Sequence, residues 1–515
     1  MQVCIPYLPF TTLDLPSPFK IIIMNYFKIK NIQTVISLCA LMMMVACKKD
    51  FLEVELQGQR TAESFWKSEQ DATEAVNAIY GNLRNAGQVG IASIAMESLG
   101  SDDADPGAKQ SDLPEMYQFD NFSVTSSNQF VGSFWAGCYS EINLCNQVLD
   151  NVDTMSTVAA NLKARYMAEA KFVRAYCYFR LVRAYGGVPL HLTVPKTPAE
   201  FNQERATAAA IWASIEKDLT DAEPLLPVTY SAPSDNGRVT KGAAQALHAK
   251  VALYQKKWSE VKSYSEKVIS SGAYSLFNNY SNLFTISNEL SSESVFEIQA
   301  DLIVGAEGGA SFPWSQNSEC QTPENQFGWG WNVPSENLVS AFAQGNDNTR
   351  MNATIIMIPE TVGGDNIVQS GNNNMRYNQK SYVPSSFYVS GYPRGCQKNI
   401  LAIRYAEVLL MNAEANNELG TTASAIISLN LVRARVGLPA TNAANQTDLR
   451  TAIWAERRLE LAMENDRYFD VIRQGRAAIV FGPKGWTAGK NELWPIPYNE
   501  MLLSGGKLTQ NPGYN

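Results

Sequence analysis

The sequence predicts a mainly α-helical fold in which a helical scaffold carries one long, loop-rich insert. Apolar residues recur at the spacing of one helix face in several segments, and two of these segments have the pattern of paired antiparallel helices. Over about residues 275–399 this spacing fades, and Gly, Asn, Ser and aromatic residues take its place. We therefore expect the helical scaffold at about residues 60–275 and 400–480, with the insert between them.

Composition excludes several classes of protein. The chain has 515 residues, of which 45% are hydrophobic and 10% aromatic, which is too apolar for a disordered chain. The net charge of −8 gives no global attraction for nucleic acid, so we expect no nucleic-acid partner. The only two histidines, His191 and His248, exclude a metal site built from several histidines. We expect neither a metal nor a cofactor.

Residues 1–46 have the pattern of a signal segment. Lys28 and Lys30 precede an apolar stretch at about residues 35–46, which ends just before Cys47. This ending resembles the bacterial lipobox, in which the cysteine is lipidated, so we expect a lipid anchor at Cys47. A single-pass anchor, or a plain signal with an incidental cysteine, is the alternative. We interpret Met24 as the true start and residues 1–23 as a gene-model extension.

The first predicted helices are marked by their ends. Ser68 and Asp71 form the pattern of a capping box in front of an apolar helix face. Further helices are predicted at residues 133–152 and 159–185, the second ended by Gly186, Gly187 and Pro189.

Two later segments predict helix pairs. In residues 240–270 a helix with small residues on one face is followed by a short turn and a helix with bulky residues. Residues 400–438 repeat the design, with Gly420 breaking the pair. Both resemble tetratricopeptide units, which stack so that neighbours bury each other's apolar faces.

The insert contains the candidate ligand-binding residues. Trp314, Trp329 and Trp331 stand among glycine and polar residues, where flat rings could stack on the apolar faces of sugars. Packing of the insert onto the scaffold is the alternative for each of them. The acidic cluster of Asp102, Asp103 and Asp105 lacks EF-hand spacing, so hydrogen bonding is the favoured role, although a calcium ion remains open.

Catalytic motifs are missing from the sequence. It has neither a GxSxG nucleophile elbow nor an HExxH zinc motif. Alternating charges at residues 456–473 favour ion-pair ladders along one helical stretch over a pair of catalytic carboxylates. We expect His248 in the core and His191 at the surface. The five cysteines after Cys47 are expected to be buried free thiols: Cys138, Cys145, Cys177, Cys320 and Cys396.

Several blocks together resemble the SusD/RagB family of Bacteroidetes nutrient-binding proteins. The blocks are the run after Cys47, residues 168–190 with their Tyr-Gly-Gly-Val-Pro turn, residues 404–410, 430–435, 456–470, 495–497 and 509–514. They occur in order along the chain, so residues 47–515 are interpreted as a single SusD-like domain.

The resemblance implies a non-catalytic lipoprotein, lipid-anchored in the outer membrane and exposed at the cell surface. Such a protein binds glycan oligosaccharides and delivers them to a SusC-like TonB-dependent transporter. By position in the family, the site would lie in residues 101–118 and 308–331, with residues 377–392 as a further candidate. The predicted ligand-binding residues are Asp102, Asp103, Trp314, Trp329 and Trp331.

Two alternatives stay open from the sequence. A RagB-like protein of the same fold would capture peptides instead of glycans. A helical glycan hydrolase would use two of the carboxylates in residues 456–473 as acid and base.

Overall fold

Helices make up most of the structure, a computed structural model that describes residues 65–300, 330–369, 374–387 and 398–514. This confirms the predicted mainly α fold. Residues 1–64, with Cys47 and the signal segment, lie outside the described residues, and so do Trp314 and Trp329. In the part that is described, no helix is both long and apolar enough to cross a membrane.

In residues 65–300, which include the start of the insert, long helices alternate with short ones. The elements are α1 (Glu69–Asn82), α2 (Ala86–Val89), α3 (Ile91–Glu97), strand β1 (Ala104–Gly107), α4 (Pro114–Asp120), α5 (Gln129–Asn151), α6 (Ala160–Tyr185), α7 (Pro198–Phe201), α8 (Ala208–Ala222), α9 (Lys241–Tyr254), α10 (Trp258–Ser270), α11 (Tyr280–Leu283) and strand β2 (Ser294–Ile298).

The helix ends follow the sequence signals. Ser68 caps α1 in a complete capping box, in which its hydroxyl accepts from the backbone N–H of Asp71 and the Asp71 carboxylate accepts from the backbone N–H of Ser68. Gly186 ends α6 at φ +73°, a left-handed conformation that glycine adopts without strain. Thr240 caps α9 with its hydroxyl, which accepts from the backbone N–H of Ala243.

After the insert begins, short strands precede three longer helices. The elements are β3 (Trp331–Pro334), α12 (Glu336–Gln344), α13 (Asn348–Thr354), β4 (Ile355–Met357), β5 (Glu360–Val362), β6 (Asp365–Ile367), β7 (Arg376–Asn378), β8 (Ile400–Arg404), α14 (Tyr405–Glu418), α15 (Thr422–Arg435), α16 (Gln446–Glu460), α17 (Arg467–Arg473), α18 (Ala477–Val480) and α19 (Tyr498–Leu503). The insert therefore has more regular structure in its described parts than the sequence predicts.

The scaffold helices pack in an unbroken succession. Helix α5 packs on α6, α6 on α8, α8 on α9 and α9 on α10. Helix α10, before the insert, packs on α14, after it, and α14 contacts both α15 and α16. The two predicted scaffold segments thus join into one run of helices, and residues 66–515 form one compact unit. The more specific tetratricopeptide interpretation stays a prediction.

The strands pair two by two. The antiparallel pairs are β1 with β3, β2 with β8, β4 with β7 and β5 with β6. The β2–β8 pair joins the two ends of the insert, because β2 lies near the beginning of the insert and β8 lies at its end, directly before α14. The insert is therefore attached to the scaffold at both of its ends.

The histidines and cysteines lie close to their predicted places. His248 is buried and stacks on Tyr264 with ring centroids 3.8 Å apart, and burial lowers its pKa to about 4. Cys138, Cys145 and Cys177 are free and buried, as predicted, while Cys320 and Cys396 lie outside the described residues. His191 differs from the expectation of a surface residue, because it is half-buried against the ring of Tyr139.

A buried ion-pair network connects the insert to the scaffold. Glu460 at the end of α16 is fully buried and pairs with Arg350 of α13, Arg404 of β8 and Arg435 of α15. We call this the Glu460 network; its other members are Glu293, Glu456, Glu464 and Lys380. Burial by itself raises the pKa of Glu460, but the three guanidinium groups lower it well below its usual range.

The network corrects one prediction from the sequence. Residues 456–473 do not form one helix with ion-pair ladders along it, because α16 ends at Glu460 and α17 begins at Arg467. Between them Met463 and Asn465 adopt positive φ values of 63° and 67°. Most of the charged side chains pair with distant elements, while Arg473 and Asp470 form a pair within α17 at 2.6 Å.

Substituting Arg350 tests how much the Glu460 network stabilises the fold. We expect Arg350→Met to lower the free energy of unfolding by about 3–5 kcal/mol, because Glu456 and Glu460 each lose a buried partner. Arg450→Met is the matched control: Arg450 pairs with Glu418 near the surface, and we expect a loss of at most about 1 kcal/mol. Urea unfolding measures both, and equal losses would contradict the prediction.

Candidate ligand-binding site

Two of the loops that the sequence singles out lie side by side in the structure. Strand β1, from the loop after α3, pairs antiparallel with β3, at the end of the second loop, so that Ala104 faces Pro334 and Gly107 faces Trp331. At Gly107 (φ +69°) a β-carbon would lie 2.2 Å from the carbonyl oxygen of Gly330. Only glycine therefore allows this close approach of the two strands.

Strand β7, which leads into the third candidate segment, packs against β3 at the end of the second. The side-chain amide of Asn374 donates to the carbonyl oxygen of Gly330 at 2.8 Å, and Nε of Arg376 donates to the carbonyl oxygen of Pro334 at 2.9 Å. We call residues 104–118, 330–334 and 374–382 together the candidate face; residues 330–334 are buried beneath it, and its exposed side chains lie mainly in residues 109–114. The described ends of the second and third predicted segments, residues 330–331 and 377–382, thus lie in one region with the first segment, while residues 308–329 and 388–392 lie outside the described residues.

Asp102 and Asp103 fasten the first loop to the helices beneath it. Arg467 donates two hydrogen bonds to the carboxylate of Asp102, at 2.7 and 2.9 Å, and Nε of Arg458 donates to Asp103 at 2.7 Å. Ser335 donates from its hydroxyl to the carbonyl oxygen of Asp102 at 2.6 Å and from its N–H to that of Asp103 at 2.9 Å. Both carboxylates are buried, and this geometry gives them a structural role.

The two aspartates differ in protonation behaviour. Burial raises the pKa of Asp102, but the hydrogen bonds and charge of Arg467, together with Arg458, lower it overall below the usual value. Burial raises the pKa of Asp103 overall, because Arg458 offsets this effect only in part. Asp102 is therefore the more firmly ionised member of the pair.

Trp331 is the one predicted tryptophan within the described residues. It is 3% exposed and belongs to the main hydrophobic core. This position agrees with the alternative in which the tryptophan packs the insert onto the scaffold. Its Nε1 has no hydrogen-bond partner among the residues that the structure describes. Tyr377 and Tyr382 are buried in a small cluster within the insert, while Tyr388 and Tyr392 lie outside the described residues. Ligand binding by the five predicted residues stays a prediction.

Asp105 is a candidate that the sequence reasoning did not select. It is half-buried on β1, where residues alternate between buried and partly exposed, and it points to the exposed side together with Gly107. Burial raises its pKa, although the nearby Lys484 acts in the opposite direction. The period-2 pattern of a strand could have separated Asp105 from Asp102 but not from Asp103, whose burial comes from its contact with Arg458.

Tyr117 of α4 is a second missed residue. Its hydroxyl donates to the carbonyl oxygen of Gly107 at 2.9 Å, which fixes the half-buried ring beside β1. Lys484 donates to the carbonyl oxygen of Ser101 at 2.7 Å and pairs with Asp120, the last residue of α4. The candidate face therefore offers a carboxylate, an oriented aromatic ring and exposed polar side chains at residues 109–112. These groups suit a ligand with hydroxyl groups and apolar faces.

The geometry gives no support for acid–base catalysis at residues 456–473. Glu456, Glu460 and Asp470 are buried and held by arginines. A general acid needs a carboxyl group whose pKa is raised, whereas the pKa values of Glu460 and Asp470 are lowered by their arginines. Within the described residues, no cluster of three or more His, Cys, Asp or Glu side chains could hold a metal ion.

Comparison with known proteins identifies the family. The SusD family profile matches residues 354–514, and a second profile, described as starch-binding associating with outer membrane, matches residues 50–253. A SusD-like protein of Formosa agariphila is 27% identical over 88% of this chain and 94% of its own length.

Solved structures show the same relationship. A laminarin-binding SusD-like protein is 30% identical, covers 87% of this chain and 100% of its own, and superposes with a TM-score of 0.75. A SusD-like protein of Bacteroides fragilis, 24% identical, covers 88% of this chain and 98% of its own with a TM-score of 0.76, and so shows the shared fold. The chain belongs to the SusD family. Because this is a family of non-catalytic binding proteins, the chain is not an enzyme.

The lowered pKa of Asp102 predicts how the stability of the first loop depends on pH. Its ionised form stabilises the folded state above the unfolded value of 3.8, and this contribution is lost as the pH falls through the lower folded value. We expect Asp102→Asn to cost about 3–5 kcal/mol at pH 7, because it leaves Arg467 short of its buried partner. The difference from wild type should shrink as the pH falls below 3.8.

Chemical unfolding at several pH values between 7 and 3 measures this difference. Asp112→Asn is the control, because Asp112 is exposed on the same loop and should have little effect at any pH. A difference for Asp102→Asn that stays constant below pH 3.8 would contradict the assignment.

Proposed function

We propose that this chain is a cell-surface lipoprotein of the outer membrane that captures glycan oligosaccharides and delivers them to a SusC-like TonB-dependent transporter. The observation that carries the proposal is the likeness, over almost the whole chain, to a laminarin-binding protein at 30% identity. The description of the second matching profile, starch-binding associating with outer membrane, supports both the ligand class and the location.

The candidate face supplies suitable chemistry for this function. Asp105 can accept hydrogen bonds from sugar hydroxyls, and the fixed ring of Tyr117 can stack on an apolar sugar face. In the proposal, Asp102 and Asp103 hold the loop that carries Asp105. Of the tryptophans predicted from the sequence, Trp314 and Trp329 would add aromatic rings from the second loop, whereas Trp331 would support that loop from the core.

A screen of the purified mature protein tests the ligand class. We expect binding to one glycan class among laminarin, starch and pectic polysaccharides, without release of products. A peptide pool is tested in parallel, because a RagB-like role would give peptide binding alone. Product formation would instead support the hydrolase alternative, and either result would contradict the proposal.

Substitution of Asp105 tests the location of the site. We expect Asp105→Ala to weaken binding of the identified glycan about tenfold or more, because a hydrogen bond to a charged acceptor is lost. Asp153→Ala is the control: Asp153 is exposed in the turn directly after α5 and belongs to none of the three segments of the candidate face. Titration calorimetry measures both variants, and equal affinities would place the glycan elsewhere.

Substitution of Cys47 tests the anchor. We expect Cys47→Ser to abolish incorporation of radiolabelled palmitate and to release the protein from the outer-membrane fraction, because the lipidated thiol is then absent. Cys177→Ser, which alters a buried thiol in α6, is the control and should leave the labelling unchanged. Labelling that persists in the Cys47 variant would contradict a lipid anchor at this residue.

A further inference from the structure

A second recess lies among elements that the candidate face does not use. Helix α5, residues 189–195, helix α7 and helix α19 enclose a pocket of about 260 Å³. It shares no residue with the candidate face. A cavity of this size can hold a compact ring, and its lining combines aromatic, aliphatic and amide side chains.

Aromatic groups form the wall of this pocket. The rings of Trp135 and Tyr139 on α5 have centroids 5.0 Å apart, and the imidazole of His191 lies edge-on to Tyr139 at 5.8 Å. Hydrogen bonds fix two of these rings, since Tyr139 donates to the carbonyl oxygen of Pro189 at 2.6 Å and Trp135 donates to Glu500. Phe201 at the rim is 61% exposed, so its ring is available to a ligand.

Polar side chains at the same pocket have unused hydrogen-bonding capacity. The amide groups of Asn143, Asn202 and Gln203 make no side-chain hydrogen bond within the described part of the protein. Nδ1 of His191 also lacks a partner among the described residues, although it is shielded from solvent. These groups can both donate and accept, as the hydroxyl groups of a sugar require.

The charge of the lining restricts the class of ligand. None of the described residues that line the pocket is lysine or arginine, and Glu500 is its one carboxylate. Burial raises the pKa of Glu500, although its hydrogen bond with Trp135 acts in the opposite direction. An acidic saccharide would meet no cation among the lining residues and would be repelled by Glu500 when that group is ionised; the nearby amine of Lys507 donates to the backbone carbonyl oxygen of Asn202 at 2.7 Å. The lining therefore favours a neutral ligand.

We propose that this pocket is a second saccharide site, which takes one ring of a neutral oligosaccharide between the aromatic wall and Phe201. The amides of Asn143, Asn202 and Gln203 bond its hydroxyl groups. The proposal does not rest on the candidate face, because the two surfaces are built from different elements. It gives the chain two separate contacts for glycans.

The two histidines of the chain provide a direct test. In the full chain with isotopically labelled histidine, the imidazole of His191 reports on the pocket, and the buried imidazole of His248 is the internal reference. We expect titration with laminarihexaose or maltohexaose to shift the His191 resonance saturably and to leave His248 unchanged. Oligogalacturonate, which is acidic, should produce no shift.

Variants separate the pocket from the candidate face. We expect Phe201→Ala to weaken the His191 response about tenfold or more, since an exposed ring that contacts the ligand is removed. Ile479→Ala, which removes an 83% exposed side chain of α18, is the control and should have no effect. Asp105→Ala should leave the response intact.

Three results would overturn the inference. They are no His191 shift with either neutral saccharide, a shift that Phe201→Ala leaves unchanged, and a shift produced by a peptide pool in place of saccharides. A response that disappears in Asp105→Ala would also assign the glycan to the candidate face alone. Loss of the His191 response in Asp105→Ala would therefore contradict the second saccharide site, but it would not contradict the proposed function.

Discussion

The Glu460 network is the constraint on which the position of the insert depends. Its central carboxylate binds arginines from α13, β8 and α15, which are distant in sequence. Charges buried at this depth are tolerated only when their partners are in place, because an unpaired buried ion costs several kcal/mol. The orientation of α13 and β8 relative to the end of α16 is therefore restricted far more sharply than by apolar packing alone, which accepts many small displacements.

The candidate face is supported by the same region of the chain. Arg458 and Arg467, on α16 and α17, bind Asp103 and Asp102 and so hold the loop that leads into β1. Ser335 connects this loop to the beginning of α12, whose first turn follows β3. The exposed residues of the face can thus differ in chemistry without loosening the structure, because the groups that position them are buried below. This separation of support from surface suits a family whose members bind different nutrients.

The sequence predicted those features that depend on neighbouring residues. The apolar spacing and capping residues of α1, α6 and α9 are local signals, and the structure confirms these helices with small shifts of their ends. The ion pairs were misread because the partners of Glu460 lie on other elements, and nothing near Glu460 reveals them. The same reason hid the role of Asp102, whose partner Arg467 lies 365 residues away. The closeness of the described parts of the three segments was expected from the resemblance and not from the residues themselves.

The pairing of β1 with β3 has a consequence for the order in which the protein folds. One strand precedes the long scaffold helices and the other follows them, so their contact closes a very large loop of chain. Closing such a loop costs conformational entropy that only an already ordered scaffold can reduce. Helices α5 to α10 make mostly sequential contacts and can order without waiting for the insert. We therefore expect the pairing of β1 with β3, within the candidate face, to form after the scaffold helices have ordered.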